Sequence, residues 1–264
     1  MATQGFELDL AALLPAAERI AREAATVILE VYGTAFTVAE KADASPVTQA
    51  DERAEALIVS ALRALTPGIP VVAEEAASRG EAPPPGPRFW LVDPLDGTRE
   101  FAARNGEFTV NIALVEGCEP VLGVVLLPVT GRLFAGARGL GAWVQDAGTI
   151  PGEKRRIACR PTPPEGAVLA CSRSHGDDAA MTQWLGNTRV ARRVVAGSSL
   201  KFGLLAAGEA DLYPRLGRTM EWDTAAGHAV LAAAGGSVCD LAGRALRYGK
   251  PGFENPHFVA RGLP

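Results

Sequence analysis

The segment that most limits what this chain can fold into is Phe89-Trp90-Leu91-Val92-Asp93-Pro94-Leu95-Asp96-Gly97-Thr98. Its first four residues form an apolar run of buried-strand length, and the run delivers Asp93 at its end. A carboxylate placed where a buried strand stops is costly unless a cation or a set of donors meets it. Pro94 fixes a backbone angle and Gly97 permits a tight turn. The segment can therefore aim Asp93 and Asp96 at one point and turn the Leu95 carbonyl toward it as a further oxygen. Two other apolar elements end in acid, at Ala73-Glu74-Glu75 and at Glu221-Trp222-Asp223-Thr224. Each alone reads as turn chemistry; three together do not. Glu74, Asp93, Asp96 and Asp223 would suit two hard divalent cations such as Mg²⁺, which take oxygen ligands. A helix starting near Gly97 would add free N–H groups and a positive dipole end, a place where phosphate binds. Metal carboxylates beside such a helix start suggest metal-assisted phosphoryl hydrolysis.

Composition narrows the field. At 264 residues the chain is one large domain or two modest ones, with enough length for a real core. Lys plus Arg is 26 against 30 for Asp plus Glu, a net charge of −4, which argues against a nucleic-acid polymer as partner. No apolar run approaches the roughly 20 residues of a membrane span. The N-terminus lacks a basic stretch followed by an apolar core, so no signal peptide is expected and the protein is read as cytoplasmic, with peripheral membrane association left open. Cys118, Cys159, Cys171 and Cys239 are scattered without a CxxC, as for reduced thiols rather than a zinc site or a disulfide framework.

Periodicity places the elements. Leu10, Leu13, Leu14, Ala17, Ile20, Ala21 and Ala24 begin an apolar helical stripe that continues to Val31, and Gly33 stops it. A polar loop at Lys41–Pro46 leads to a second helix from about Thr48 to Leu65, with capping-box spacing between Thr48 and Asp51. Strands are expected at Ile69–Ala73, Phe89–Val92, Phe108–Val115 and Val121–Leu127. The polar stretch Asp146–Glu153 reads as a boundary, giving units 1–148 and 149–264. Beyond it, strands at Ala167–Cys171 and Arg189–Val195 alternate with helices at Asp177–Leu185, Ser198–Ala207 and Trp222–Ala234. The class is α/β, in its α+β variety.

The order of the motifs carries a resemblance. Ser45-Pro46-Val47-Thr48-Gln49-Ala50-Asp51, Ala73-Glu74-Glu75 and Trp90 through Phe101 come first. Gly197-Ser198-Ser199-Leu200-Lys201-Phe202 and Glu221-Trp222-Asp223-Thr224-Ala225-Ala226-Gly227 follow. The chain resembles, over essentially its whole length, the lithium-sensitive, Mg²⁺-dependent phosphatases of the inositol monophosphatase superfamily. Arg99-Glu100-Phe101, Gly-Ser-Ser-Leu-Lys-Phe and Met-Glu-Trp-Asp are similar to its CysQ-type 3′(2′),5′-bisphosphate nucleotidases. The resemblance implies a layered αβαβα sandwich of the sugar-phosphatase type with its active site between the two halves. It implies two or three Mg²⁺ ions: Glu74, Asp93 and the Leu95 carbonyl on one, Asp93, Asp96 and Asp223 on the second. Gly97 and Thr98 would hold phosphate oxygens through backbone N–H groups. Asp51 and Thr98 would orient the attacking water, with Glu74 beside them in the catalytic set. Glu74, Leu95, Asp96 and Asp223 would also meet substrate, joined from the second half by Ser198 and Lys201.

The activity so implied removes the 3′-phosphate of adenosine 3′,5′-bisphosphate to give AMP, with 3′-phosphoadenylyl sulfate a further substrate, in sulfate assimilation. An inositol or other sugar monophosphatase is the alternative. A non-catalytic metal-binding regulator would lack a ligand or a water-orienting residue, and none is lacking. Several single residues keep two readings. Lys201 meets a second phosphate or is a surface helix lysine. Lys41 and Asp43 close over substrate or belong to a solvated loop. Glu75 supports the metal site or is exposed. His228, five residues beyond Asp223, reads as packing or surface. Few aromatics near the motifs stand out as stacking partners for a base, and the oligomeric state is open.

Overall fold

The N-terminal apolar stripe becomes helix α1 (Leu10–Tyr32), opened by the Asp9 side chain accepting from Ala12 N and closed at Gly33. The computed structural model describes residues 8–40, 46–146, 153–173 and 178–263. Lys41, Asp43, His175 and most of the Asp146–Glu153 stretch lie outside the described residues. A short antiparallel pair, β1 (Ala39–Glu40) and β2 (Pro46–Val47), precedes α2 (Gln49–Leu65). Asp completes the capping box: Ala50 N donates to Thr48 Oγ1 at 3.1 Å, and Thr48 N donates to Asp51 Oδ2 at 2.8 Å.

The first half, joined by one strand from beyond residue 148 that crosses the expected boundary, then builds a seven-stranded sheet. Its members are β3 (Val71–Ala73), followed by the short helix α3 (Glu74–Ser78), and β4 (Arg88–Asp96), followed by α4 (Thr98–Ala102). Next come β5 (Thr109–Glu116), β6 (Glu119–Leu126), β7 (Leu133–Ala137), β8 (Gly141–Gln145) and β9 (Arg155–Ile157), in spatial order as in sequence. β3 and β4 run parallel and every later neighbour antiparallel. The second sheet contains β10 (Ala167–Ser172) and, beyond α5 (Asp178–Leu185), β11 (Val190–Ala196). After α6 (Leu200–Ala206) comes β12 (Leu212–Arg215), and after α7 (Glu221–Ala233) come β13 (Ser237–Asp240) and β14 (Phe258–Arg261). Its order is β11-β10-β12-β14-β13.

Strand β4 shows why its sequence is apolar without alternation. Trp90 and Val92 pack with α1 and α2, while Phe89 and Leu91 pack on the opposite face with α6 and α7. A sheet covered on both faces needs apolar residues at successive positions. Tyr213, Phe258 and Ala260 of the second sheet face the same α6/α7 layer, and Met181 and Leu185 of α5 cover that sheet's outer face with Leu169 and Val259. The layers are therefore α1/α2, first sheet, α6/α7, second sheet and α5: the αβαβα sandwich. Helix α7 belongs to the second half in sequence but lies on the first sheet. A Cβ at Gly123 of β6 would stand 2.2 Å from the Ala226 carbonyl oxygen. That close approach carries Asp223, in the first turn of α7, toward the end of β4.

Candidate active site

The expected turn at the end of β4 is present. Pairing with β5 shifts register between Asp93 and Asp96, so the strand bulges where the two acids sit. Asp93 is 1% exposed, and its Oδ1 accepts from Leu95 N at 3.0 Å. Gly97 takes φ 95°, a left-handed conformation that glycine alone adopts freely, and a Cβ there would be 2.3 Å from Ser198 Oγ. Helix α4 follows at once. On the facing element, Asp223 Oδ2 accepts from Met220 N at 2.8 Å, which fixes it as the third residue of α7.

Burial and like charge dominate the electrostatics. Burial pushes the Asp93 carboxyl well above the usual range, helped by Glu74, Asp96 and Asp223; Glu74 is also its hydrogen-bond partner. Burial likewise raises Asp223, with Asp96 and Glu74 adding to it. Asp96 is raised to about 6 by burial, with the positive charges of Lys201 and Arg215 pulling the other way. Among the described residues, no group of three or more His, Cys, Asp or Glu side chains is drawn close enough to hold a metal ion. Glu74 and Asp93 are hydrogen-bonded to each other, and the charges of Asp96 and Asp223 act on the same pair. The donor set fits a hard divalent cation: oxygen atoms only, mostly desolvated, and raised by one another's negative charge.

Glu74, Asp96, Gly97, Thr98 and Asp223 line one cleft of about 800 Å³. Thr98 Oγ1 donates to Asp51 Oδ1 at 3.2 Å, with the Leu95 carbonyl an alternative acceptor at 3.4 Å. The other Asp51 oxygen accepts from Thr48 N and from Thr48 Oγ1 at 2.6 Å. The cap of α2 therefore orients the carboxylate, which in turn orients the Thr98 hydroxyl.

The second half supplies the far wall. Ser198 has φ 49°, and its hydroxyl lies 2.8 Å from the Asp96 carbonyl and 2.9 Å from that of Glu107. One proton serves both, so this hydroxyl ties the two halves together although Ser198 also lines the cleft. Gly197 N adds a bond of 2.8 Å to Glu107 Oε2. Lys201 is 2% exposed, so it is no surface lysine. Its ammonium donates to the Ala196 carbonyl at 3.0 Å and to that of Ser198, and stands 5.1 Å over the Tyr213 ring. Burial lowers it to about 8, with Asp96 opposing.

Glu75 is buried rather than exposed. Its N–H and that of Ala76 donate to the two Glu55 oxygens at 2.7 and 2.9 Å, which holds the start of α3 and hence Glu74. Glu55 escaped the sequence reading; its position one turn after Asp51 on α2 was the signal available. His228 is half-buried, with Nδ1 3.0 Å from the Tyr248 hydroxyl, a packing role. Arg215, Arg218 and Phe253 line the cleft without any local motif to announce them.

Among the described residues no helix is long and apolar enough to cross a membrane. Residues 9–260 match the inositol monophosphatase family. The chain is 47% identical over 243 residues to the 3′(2′),5′-bisphosphate nucleotidase CysQ of Escherichia coli K12, covering 91% of this chain and 96% of that one. The Buchnera aphidicola protein of the same name is 38% identical over 250 residues, 93% of this chain and 92% of its own. The crystal structure of CysQ from Bacteroides thetaiotaomicron superposes with a TM-score of 0.81 at 37% identity, covering 98% of this chain and 100% of that one. An inositol monophosphatase from Zymomonas mobilis gives 0.77 at 27%, covering 97% and 95%. Motif order, layer order and these likenesses agree: the chain belongs to the inositol monophosphatase family.

Proposed function

We propose that the protein is a phosphoric monoester hydrolase that removes the 3′-phosphate of adenosine 3′,5′-bisphosphate, giving AMP and phosphate, and that accepts 3′-phosphoadenylyl sulfate at the same site. This places it in sulfate assimilation, in the cytoplasm, where its four free cysteines suit a reducing compartment. The observation that carries the reading is the division of the cleft. Glu74, Asp96 and Asp223 line it together with the arginines Arg215 and Arg218. Acids that hold metal suit the phosphate that leaves, and a cationic wall suits a substrate bearing a second anionic group. The names of the relatives point to the same substrate.

Glu74, Asp93 and the Leu95 carbonyl would hold one Mg²⁺, and Asp93, Asp96 and Asp223 a second. Bound there, Mg²⁺ would offset the charge of the transferring phosphate and make its water a better nucleophile. The residues do the rest. Gly97 and Thr98 direct backbone N–H groups at phosphate oxygens. The Thr98 hydroxyl, donating to Asp51, presents its lone pair to a water proton and so aims that water. Arg215 and Lys201 temper the acids across the cleft.

Phosphate release from a panel tests this: adenosine 3′,5′-bisphosphate, 3′-phosphoadenylyl sulfate, inositol 1-phosphate and fructose 1,6-bisphosphate, each with Mg²⁺. The 3′-phosphonucleotides are expected to have the highest kcat/KM. Preference for inositol 1-phosphate would replace the reading with that of an inositol monophosphatase. Full turnover in excess chelator would refute the metal assignment.

A further inference from the structure

We propose that Phe253 is the base-stacking face of the cleft and the residue that makes the enzyme prefer a nucleotide to a polyol phosphate; this rests on the nucleotide reading above. Phe253 ends a short turn, Pro251–Phe253, and lines the same cleft as Asp223 and Arg218. Its backbone has φ 55°, an uncommon conformation for a bulky aromatic side chain. Such a conformation persists only where the surroundings enforce it.

The enforcing contacts are specific. Glu221, with no exposure, accepts from Gly249 N at 2.6 Å, Lys250 N at 2.9 Å and Lys250 Nζ at 2.6 Å. On the other side of the turn, Asn255 N donates to the Thr219 carbonyl at 2.9 Å, and Asn255 Nδ2 to the Met220 carbonyl at 2.7 Å. The loop is thus fastened on both sides of Phe253 to the start of α7, the element that carries Asp223. The ring itself is only half-buried. It packs on Trp222 with centroids 5.8 Å apart at 44°, so the indole backs it from within the protein. The ring rests against the main core on one side and lines the cleft on the other. An aromatic ring held beside a phosphate site offers what a heterocyclic base can stack on and a polyol cannot.

The test compares steady-state hydrolysis of adenosine 3′,5′-bisphosphate and of ribose 3,5-bisphosphate, which keeps both phosphates and lacks the base. The enzymes are the full-length wild type, Phe253→Asn and Phe253→Tyr, with Mg²⁺ present. Asn tolerates the left-handed backbone, so Phe253→Asn removes the ring while the loop keeps its conformation. KM for the nucleotide is expected to rise about tenfold in Phe253→Asn, with kcat within about twofold, as for loss of one base–aromatic stack. Phe253→Tyr should restore the wild-type KM. Ribose 3,5-bisphosphate should be hydrolysed alike by all three. An equal change on both substrates, or an unchanged KM for the nucleotide, overturns the proposal. A Phe253→Asn chain that does not fold leaves Phe253→Tyr against wild type as the arbiter, and loss of nucleotide affinity there also overturns it. Wild-type enzyme that does not favour the nucleotide over ribose 3,5-bisphosphate gains nothing from the base and overturns the role of Phe253, whereas wild-type enzyme that hydrolyses neither 3′-phosphate refutes the nucleotide reading itself. Wild type that favours it beside a Phe253→Asn that still does refutes only the role of Phe253.

Discussion

Asp96 and Thr98 sit two residues apart, yet substitutions at them should fail differently. Asp96→Asn keeps the shape and removes one charge from a set of acids that repel one another. Folding stability should be unchanged or higher, while kcat/KM falls by at least about a hundredfold, the scale of a lost key electrostatic group. Thermal melting beside phosphate release separates the two effects, and near-normal turnover would remove Asp96 from the ligand set. At Thr98 the hydroxyl and the backbone N–H do separate jobs. Thr98→Val removes only the hydroxyl that donates to Asp51 at 3.2 Å. Turnover should fall roughly 10²-fold with KM little changed, as for lost acid–base assistance. Asp51→Asn should fall similarly, and the double variant should be hardly worse than either single one, because the pair acts as a unit. Losses that multiply would show that Asp51 and Thr98 act independently.

At the scale of elements, the site depends on how closely α7 approaches β6. With the Ala226 carbonyl oxygen 2.2 Å from a Cβ at position 123, Gly123→Ala leaves backbone against backbone with no flexible side chain to yield. We expect a loss of about 3 kcal/mol, at the upper end of overpacking costs, read as a lower denaturation midpoint. Activity should fall with it, since the displaced helix carries Asp223. A variant as stable as the wild type would mean that the layers slide apart without cost. Helix α3 is positioned by another device: the Glu55 carboxylate, raised by burial, accepts two backbone N–H groups at its start. Neither device touches substrate, and both decide where a carboxylate of the cleft stands.

The whole molecule should answer to pH through His228. Burial lowers this imidazole from 6.5 to about 4. The folded chain holds it neutral, while the unfolded chain takes up a proton below 6.5. Its contribution to stability is complete above pH 6.5 and is lost as pH falls toward 4. Urea unfolding of wild type and His228→Gln at pH 7, 6, 5 and 4.5 checks this. The wild type should lose stability on acidification faster than the variant; parallel curves would show that His228 does not titrate as described.

What the sequence determined alone is what arises within a few residues of backbone. The stripe of α1, the Thr48–Asp51 cap, the apolar run of β4 and the turn through Gly97 all follow from helical or strand periodicity and from allowed backbone angles. They were legible without a structure, and with them the acids at the ends of the elements. Strands such as β7 (Leu-Phe-Ala-Gly-Ala) and β12 (Leu-Tyr-Pro-Arg) were not, because they are short, lack alternation and carry Gly136 or Pro214. Pairing with neighbours makes them strands. The tertiary structure alone decided which groups meet. Thr98 reaches Asp51 across 47 positions, and Ser198 reaches the Asp96 carbonyl across 102. Lys201 became a buried anchor, and Phe253 reached the cleft because Glu221 and Asn255 fasten its loop. Contacts of that length depend on layer packing and burial, which no local pattern of residues encodes.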